Sequence, residues 1–316
     1  MNTLLGLLII AVGSFCQSSS YVPIKKVKEW SWESFWLVQG IFAWLVFPLL
    51  GALLAVPAGS SLGEILSTDP SAAFKAAGYG VLWGVGGLTF GLSMRYLGVA
   101  LGQSIALGTC AGFGTLFPAI FAGENLFAGK GLILLLGVSI TLAGIAVIGY
   151  AGSLRSQNMT DEEKRAAVKD FALTKGLAVA LLAGSALFRT LPATLMVTLG
   201  GFVTNAAYCL WQNARNRTFG DYGKGSLYAN NLLFCALAGA LWYSQFFGFG
   251  IGQTFFEPGS VVAAFAWCIL MALNVTFSNV WGIILREWRG VSAKTVGVLV
   301  CGLAILIFSL VFPNLF

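Results

Sequence analysis

The chain has 316 residues, of which 58% are hydrophobic and only 9% are charged, and it contains no histidine. So few charges could not cover the surface of a soluble domain of this length, which excludes an ordinary soluble protein. The absence of histidine excludes Ser-His-Asp and Cys-His catalysis and histidine metal sites. At about 20 residues a span, the chain could cross a bilayer roughly ten times. We therefore expect an all-α polytopic membrane protein with no metal site, no cofactor and no enzymatic activity.

Apolar segments of spanning length divide the chain into two similar halves. The first half has predicted spans at residues 3–23, 34–57, 74–94, 97–121 and 130–151. The second half has an apolar segment at 175–211, interrupted by Arg189, Thr190 and Pro192, and then predicted spans at 227–250, 260–285 and 294–313. The predicted organisation is a first five-helix repeat at 1–152, a hydrophilic cytoplasmic linker at 153–174, and a second repeat at 175–316.

Six glycines occur in the stretch GVLWGVGGLTFGLSMRYLG, which runs from Gly80 to Gly98. A phosphate-binding loop would need the spacing G-x-G-x-x-G after a strand. Gly84 and Gly86 fit that spacing, but Thr89 stands where the third glycine is required. Small residues in a membrane helix let two backbones approach closely. The stretch therefore predicts close helix packing and not a phosphate site.

Basic residues collect in the loops that follow the odd-numbered spans. These loops include Lys25, Lys26, Lys28, Arg95 and most of the other lysines and arginines of the chain. Positive charge marks the cytoplasmic side of a membrane protein. We therefore expect the odd-numbered loops in the cytoplasm and both termini outside. The basic residues form no single stripe, which argues against nucleic-acid binding.

A short sequence pattern occurs twice. Leu82-Trp83 is followed after six residues by Phe90-Gly91 in span 3, and Leu241-Trp242 by Phe249-Gly250 in span 8. Spans 3 and 8 are equivalent positions if a five-span unit is duplicated. Because five is an odd number, the second copy would insert upside down, as in alternating-access transporters. A chance match of so short a pattern is the alternative.

The predicted spans contain neutral polar side chains and aromatic residues. The polar ones are Gln17, Gln39, Gln103, Ser104, Asn205, Asn230, Asn231, Gln245, Asn274 and Asn279, and the aromatic ones include Trp83, Trp242, Tyr243 and Trp281. Buried polar groups in lipid mark either sites or helix contacts. Amides bond hydroxyl groups and aromatic faces pack on sugar rings, so the pattern favours a neutral polyol. Helix–helix hydrogen bonds and interfacial tryptophan belts are the alternative.

Four sequence runs carry a family resemblance. They are YVPIKKVKEWSWE (21–33), GVLWGVGGLTFGLSMRYLGVALGQSIALG (80–108), GALWYSQFFGFG (239–250) and NVTFSNVWGIILREWRG (274–290). In this order they resemble the bacterial L-rhamnose–proton symporter family, within the drug/metabolite transporter superfamily. The resemblance covers nearly the whole chain. It implies ten helices in two inverted five-helix halves in the bacterial inner membrane, and uptake of L-rhamnose or a similar deoxy sugar with protons.

The chain departs from this family pattern at the sixth helix. Family members have a full helix before a segment like LFRTLPATLMVTLGG, whereas here KGLAVALLAGS (175–185) runs almost directly into it. Residues 176–188 would rise only about 20 Å as a helix, against a hydrocarbon core of about 30 Å. The shortened segment could cross as a strained hairpin or cross only once. A single crossing would break the repeat symmetry.

The resemblance and the polar pattern together predict a sugar site near mid-membrane between spans 3, 4, 8 and 9. Trp83 and Trp242 would stack on the sugar, and its hydroxyls would be bonded by Gln103, Gln245, Asn274 and Asn279.

Without histidine, proton coupling would need a carboxylate, and the candidates are Glu33 and Glu257. A facilitator, an exporter of drugs or other metabolites, and a membrane sensor are alternatives, although an exporter of apolar cations would want a membrane-embedded acid.

Overall fold

The computed structural model describes residues 2–97, 99–157 and 191–315. Within these ranges every regular element is helical, and no residue lies in a β-strand. Eight helical segments there are long and apolar enough to span a membrane: Thr3–Ile24, Trp32–Leu54, Leu101–Phe121, Gly129–Arg155, Thr194–Asn216, Gly225–Gln253, Val261–Ile284 and Ala293–Val311. The expectation of an all-α polytopic membrane protein is therefore confirmed for the described residues.

We number the α-helices in chain order. They are α1 (Thr3–Ser19), α2 (Tyr21–Ile24), α3 (Trp32–Ile41), α4 (Phe47–Leu54), α5 (Leu62–Thr68), α6 (Pro70–Leu97), α7 (Val99–Phe121), α8 (Gly129–Gln157), α9 (Leu191–Asn216), α10 (Gly225–Gln253), α11 (Val261–Ile284) and α12 (Ala293–Val311). A π-helical turn, Phe42–Val46, joins α3 to α4, and 3₁₀ turns occur at Phe219–Gly223 and Phe312–Leu315.

Two of these helices differ from the prediction. Helix α5 was not predicted, although Ser61 and Glu64 form a capping box in which each side chain accepts a hydrogen bond from the other residue's backbone N–H. Helix α6 has 28 residues and covers the predicted third span, but it is not among the eight apolar segments. Its glycines and polar residues lower its mean hydropathy, so the crossing by α6 stays a prediction.

The predicted linker and the predicted short helix lie mostly outside the described residues. Helix α8 continues to Gln157, so it extends past the predicted start of the linker at residue 153. The rest of the linker at 153–174, the short helix at 175–188 and residues 189–190 are not described. Helix α9 begins at Leu191, and Pro192 lies in its first turn, where a missing N–H is tolerated.

The first compact unit comprises the described parts of residues 1–15, 89–186 and 251–316. In it α8 packs closely on α12: a methyl group placed on Gly302 would lie 3.0 Å from the carbonyl oxygen of Gly144. At the end of α8, the guanidinium of Arg155 lies 4.0 Å from the carboxylate of Glu287. The contact between Gly144 and Gly302 shows that small residues let the backbones of α8 and α12 approach directly.

The second compact unit comprises residues 16–88 and the described part of residues 187–250. In it the glycines of α6 face α9: a methyl group on Gly84 would lie 2.7 Å from the carbonyl oxygen of Gly201 and 2.8 Å from Cβ of Thr204. The Thr204 hydroxyl donates a 2.8 Å hydrogen bond to the carbonyl oxygen of Val81. The prediction that this glycine stretch serves close helix packing is therefore confirmed.

Candidate functional site

Four tryptophans meet in the second unit, and we call Trp36, Trp44, Trp83 and Trp242 the indole cluster. Trp44 is its centre, with ring centroids 6.1 Å from Trp36, 6.4 Å from Trp83 and 6.0 Å from Trp242, each in an edge-to-face contact. Trp83 and Trp242 are 6.1 Å apart with their rings tilted by 43°. The two tryptophans that were predicted to act together are therefore in contact.

One buried amide of the second unit has a structural role. Asn205 accepts a 3.1 Å hydrogen bond from the indole N–H of Trp36. Its side-chain NH₂ donates to the carbonyl oxygens of Gly84 and Gly201, both at 2.9 Å. Asn205 therefore links α6 to α9 and fixes the indole ring of Trp36. This is the helix-contact alternative that the sequence left open for buried amides.

Gln245 follows Trp242 by less than one turn on α10. Its side chain is 5% exposed, and its Nε2 donates a 3.2 Å hydrogen bond to the carbonyl oxygen of Trp242. Gln245 therefore belongs with Trp83 and Trp242 in the second unit. These are three of the six residues that were predicted to bind substrate.

The other three predicted substrate residues lie in the first unit, in a group of fully buried side chains on α7 and α11. We call this group the amide cluster: it contains Gln103, Ser104, Asn274, Ser278 and Asn279, each 0% exposed. The hydroxyl of Ser278 donates to Gln103 Oε1, and Asn279 Nδ2 donates to the Ser104 hydroxyl at 3.4 Å. The cluster therefore links α7 to α11 by hydrogen bonds.

Some buried amide atoms of this cluster have no hydrogen-bond partner among the described residues. They include Gln103 Nε2 and Asn279 Oδ1. Buried polar atoms in folded proteins nearly always have a hydrogen-bond partner. Gln103 and Asn279 each contribute to a helix contact. In addition, Gln103 keeps one donor and Asn279 keeps one acceptor, and a hydroxyl group can bond to both kinds of atom.

Glu33 is the more deeply buried of two buried carboxylates among the described residues of the second unit. It lies in the first turn of α3 and is 2% exposed, where a negative charge is favoured by the helix N-terminus. Its Oε1 accepts hydrogen bonds from Asn216 Nδ2 at 2.8 Å and from the Thr218 hydroxyl at 3.0 Å. Glu33 directly precedes the predicted second span at 34–57; the structure shows in addition that the end of α9 and the segment after it cover its carboxylate.

Short polar contacts link Glu33 to a second carboxylate, Asp221, through two hydroxyl groups and the side-chain oxygen of Asn213. The Thr218 hydroxyl lies 2.8 Å from Asn213 Oδ1, and the Ser34 hydroxyl lies 2.9 Å both from that oxygen and from Asp221 Oδ2. We call these five residues the Glu33 network. Each hydroxyl in it has one hydrogen and two acceptors within reach, so the hydrogen can be directed to either side.

Asp221 lies outside the membrane-length helices, in the 3₁₀ turn before α10. Burial raises the pKa of Asp221, but hydrogen bonds from the backbone N–H of Ser31, from the Ser34 and Ser31 hydroxyls and from the Lys224 ammonium outweigh that effect. The pKa of Asp221 is therefore below its usual value. Asp221 remains ionised and fixes the turn against the start of α3.

Sequence reasoning missed Trp44, Asn213 and Asp221. A signal for Trp44 was present in the sequence. Trp36 follows Trp32 by four residues and Trp44 follows Trp36 by eight, a spacing that favours one helix face. No comparable signal marks Asn213 or Asp221, which depend on a contact between segments far apart in the chain. Glu257, the other predicted coupling residue, is exposed in the turn before α11.

No group of three His, Cys, Asp or Glu side chains that could hold a metal ion occurs in the described ranges. What these ranges do contain is a set of membrane-length helices with buried amides, an indole cluster and a buried carboxylate. The fold and these groups define a polytopic membrane protein of the transporter class. Charged and polar groups inside such helices usually serve a pathway or a helix contact.

Comparison with known proteins gives the family. A family model described as L-rhamnose-proton symport protein (RhaT) matches residues 1–188 and 182–313. The chain belongs to this family. Proteins named L-rhamnose-proton symporter from Yersinia pestis (strain Pestoides F) and Yersinia pseudotuberculosis serotype O:3 (strain YPIII) are each 30% identical to it over 344 residues. The alignments cover 97% of this chain and 96% of each relative.

Proposed function

We propose that this protein takes up L-rhamnose or a similar deoxy sugar together with protons, by alternating access. The observation that carries the proposal is the similarity to proteins named L-rhamnose-proton symporter along 97% of the chain. The chemistry of the buried groups is compatible with it, because amides and indole rings suit a neutral sugar. The partners are thus a sugar, protons and the lipid bilayer.

Three residues of the second unit are proposed to bind the sugar. Trp83 and Trp242 offer aromatic faces for the apolar face of the sugar ring, and Gln245 lies beside them with an amide for a hydroxyl group. The support is the 6.1 Å contact between the two indoles and the bond from Gln245 to the Trp242 carbonyl oxygen.

Three residues of the first unit are proposed as further substrate contacts. Gln103 and Asn279 each keep one amide atom without a partner among the described residues, in a fully buried setting. Asn274 is also fully buried, and its main-chain carbonyl oxygen lies 2.7 Å from the Ser278 hydroxyl, one turn further along α11. These amides would exchange hydrogen bonds with sugar hydroxyls during transport.

Glu33 is the proposed proton-coupling residue. Its burial supports the role, because ionisable groups inside membrane-length helices usually mark ion or proton pathways. Glu257 remains a second candidate, but its exposure gives it weaker support. Neutralising Glu33 would remove the group that takes up and releases the proton.

The proposed architecture has ten helices in two inverted five-helix repeats, within the drug/metabolite transporter superfamily. The repeats are residues 1–152 and 175–316, joined by the linker at 153–174, in the bacterial inner membrane with both termini outside. The two family matches overlap at residues 182–188, and the alignment of 344 residues is longer than this chain. Both observations support a shortened sixth helix.

The proposed orientation can be tested with a reporter fused after residue 316. A reporter that proved cytoplasmic would overturn the orientation.

The test is uptake of labelled L-rhamnose by liposomes containing the purified protein, with and without an inward proton gradient. Accumulation that depends on the gradient is expected. Equilibration without accumulation would indicate a facilitator instead of a symporter. Binding without flux would indicate a sensor, and resistance to drugs in a pump-deficient host would indicate an exporter. Neither binding nor flux with folded protein would overturn the assignment of the sugar.

A further inference from the structure

We propose that Trp44 and Gln39 read the hydroxyl groups of the transported sugar. In this proposal the indole N–H of Trp44 donates a hydrogen bond to a sugar hydroxyl, and the side-chain oxygen of Gln39 accepts a hydrogen bond from a sugar hydroxyl. The inference rests on the proposed function, since it assigns two further contacts to the same sugar. It concerns residues of the second unit only.

The first step is the hydrogen-bond state of the two side chains. Trp44 is 3% exposed and Gln39 is 4% exposed. Trp44 Nε1 and Gln39 Oε1 have no hydrogen-bond partner among the described residues. A buried polar atom without a partner destabilises the folded state, and such exceptions in native proteins call for an explanation. A donor and an acceptor on one helical segment are the pair that a hydroxyl group satisfies, since it both accepts and donates.

The second step is the backbone between them. The π-helical turn Phe42–Val46 contains Trp44, and the N–H of Phe47 donates to the carbonyl oxygen of Phe42 in the five-residue spacing of a π-helix. Pro48 has no N–H for the carbonyl of Trp44, four residues earlier, and its ring crowds that carbonyl. Single π turns within α-helices are frequent at functional sites. Gln39 lies near the end of α3, directly before this π turn, so the two side chains belong to adjacent turns of one helical segment.

The third step is the contrast with the neighbouring indole. Trp36 is equally buried, at 3% exposure, but its N–H donates to Asn205. Trp36 is therefore held by the protein itself, whereas the donor of Trp44 is available to a ligand. Trp44 also contacts both Trp83 and Trp242, the indoles proposed to stack on the sugar. A sugar on those faces would come within reach of the Trp44 N–H.

The experiment measures equilibrium binding of L-rhamnose and its monodeoxy analogues to the purified full-length protein by calorimetry. Trp44→Phe removes the N–H and keeps an aromatic ring. Trp30→Phe is the matched control, because the Trp30 N–H is also buried without a partner among the described residues but packs against Tyr222 and Tyr228 and not in the indole cluster. Gln39→Met provides a second test that leaves every indole in place.

We expect Trp44→Phe to weaken L-rhamnose binding about three- to tenfold, the range of one neutral hydrogen bond, and to abolish discrimination against one monodeoxy analogue. Trp30→Phe should keep the wild-type pattern. An unchanged pattern in Trp44→Phe, or an equal loss for every analogue, overturns the inference. If Trp44→Phe does not fold, Gln39→Met decides by the same criterion. Failure of the wild type to bind L-rhamnose overturns the proposed function and this inference with it.

Discussion

Asn216 donates a 2.8 Å hydrogen bond to the carboxylate of Glu33, and so the end of α9 covers the start of α3. This contact buries a titratable group that the sequence placed near the membrane surface. Glutamine at this position would still accept the hydrogen bonds from Asn216 and Thr218 but could not take up a proton. The contact therefore allows the chemistry of Glu33 to be tested separately from its structural role.

Glu33→Gln is expected to abolish accumulation of L-rhamnose driven by a proton gradient, while exchange of labelled for unlabelled sugar continues. The reason is that exchange requires movement of the loaded carrier but no net proton transfer. The measurement is gradient-driven uptake and counterflow in the same liposomes. Glu29→Gln, which changes an exposed carboxylate of the neighbouring loop, is the control and should keep both activities. Loss of accumulation in Glu257→Gln but not in Glu33→Gln would assign coupling to Glu257.

Asp221→Asn is expected to lower the melting temperature at neutral pH. The carboxylate accepts hydrogen bonds from the Ser31 N–H and the Ser34 hydroxyl, and such bonds to a charged group contribute about 2 kcal/mol. Because the pKa of Asp221 is lowered in the folded protein, its stabilisation is fully present above the ordinary value of about 3.9. It is lost as the pH falls through the lowered pKa.

The measurement for Asp221 is thermal unfolding in detergent between about pH 3 and pH 7, the range that brackets the ordinary carboxyl pKa. The difference between wild type and Asp221→Asn should shrink towards acid pH. A difference that stays constant over this range would show that the charge of Asp221 does not stabilise the fold.

Gly84→Ala is expected to destabilise the protein by about 1–3 kcal/mol, because the added methyl group would overlap with Gly201 and Thr204 of α9. Gly78→Ala is the matched control on the same helix, since nothing lies within 4 Å of the methyl group that it would add. The fraction of monodisperse protein after heating measures both. Equal stability of the two variants would contradict the close packing of α6 on α9.

Gln103→Ala is expected to raise the KM for L-rhamnose about three- to tenfold, since a sugar hydroxyl would lose one neutral hydrogen bond to Nε2. Ser278→Ala removes the partner of Gln103 Oε1 and leaves Nε2 in place. That variant should change stability more than KM. The same change of KM in both variants would mean that Gln103 acts only as a helix contact. Protein content of the membrane must be equal in each comparison.

Part of the site could be predicted from the sequence because it follows from residue type and spacing. Trp83 and Trp242 were predicted to act together from the aromatic and polar residues of the spans and from the family resemblance, and their rings are in contact. The glycines of α6 were assigned to helix packing, and Gly84 indeed faces Gly201. The capping box of α5 could also have been predicted, since Ser61 and Glu64 have its spacing, but no helix was predicted there.

The sequence by itself determined the class of this protein: long apolar segments without charges have no stable place except a membrane, and their lengths and order define most of the helices. Only the tertiary structure decided which polar groups are buried and how they are paired. Asp221 reaches Ser34, and Asn205 reaches Trp36, across long stretches of chain. Side-chain hydrogen bonds form where helix packing removes water from both partners. The packing brings together segments that are far apart in the chain, so no local sequence pattern encodes these contacts.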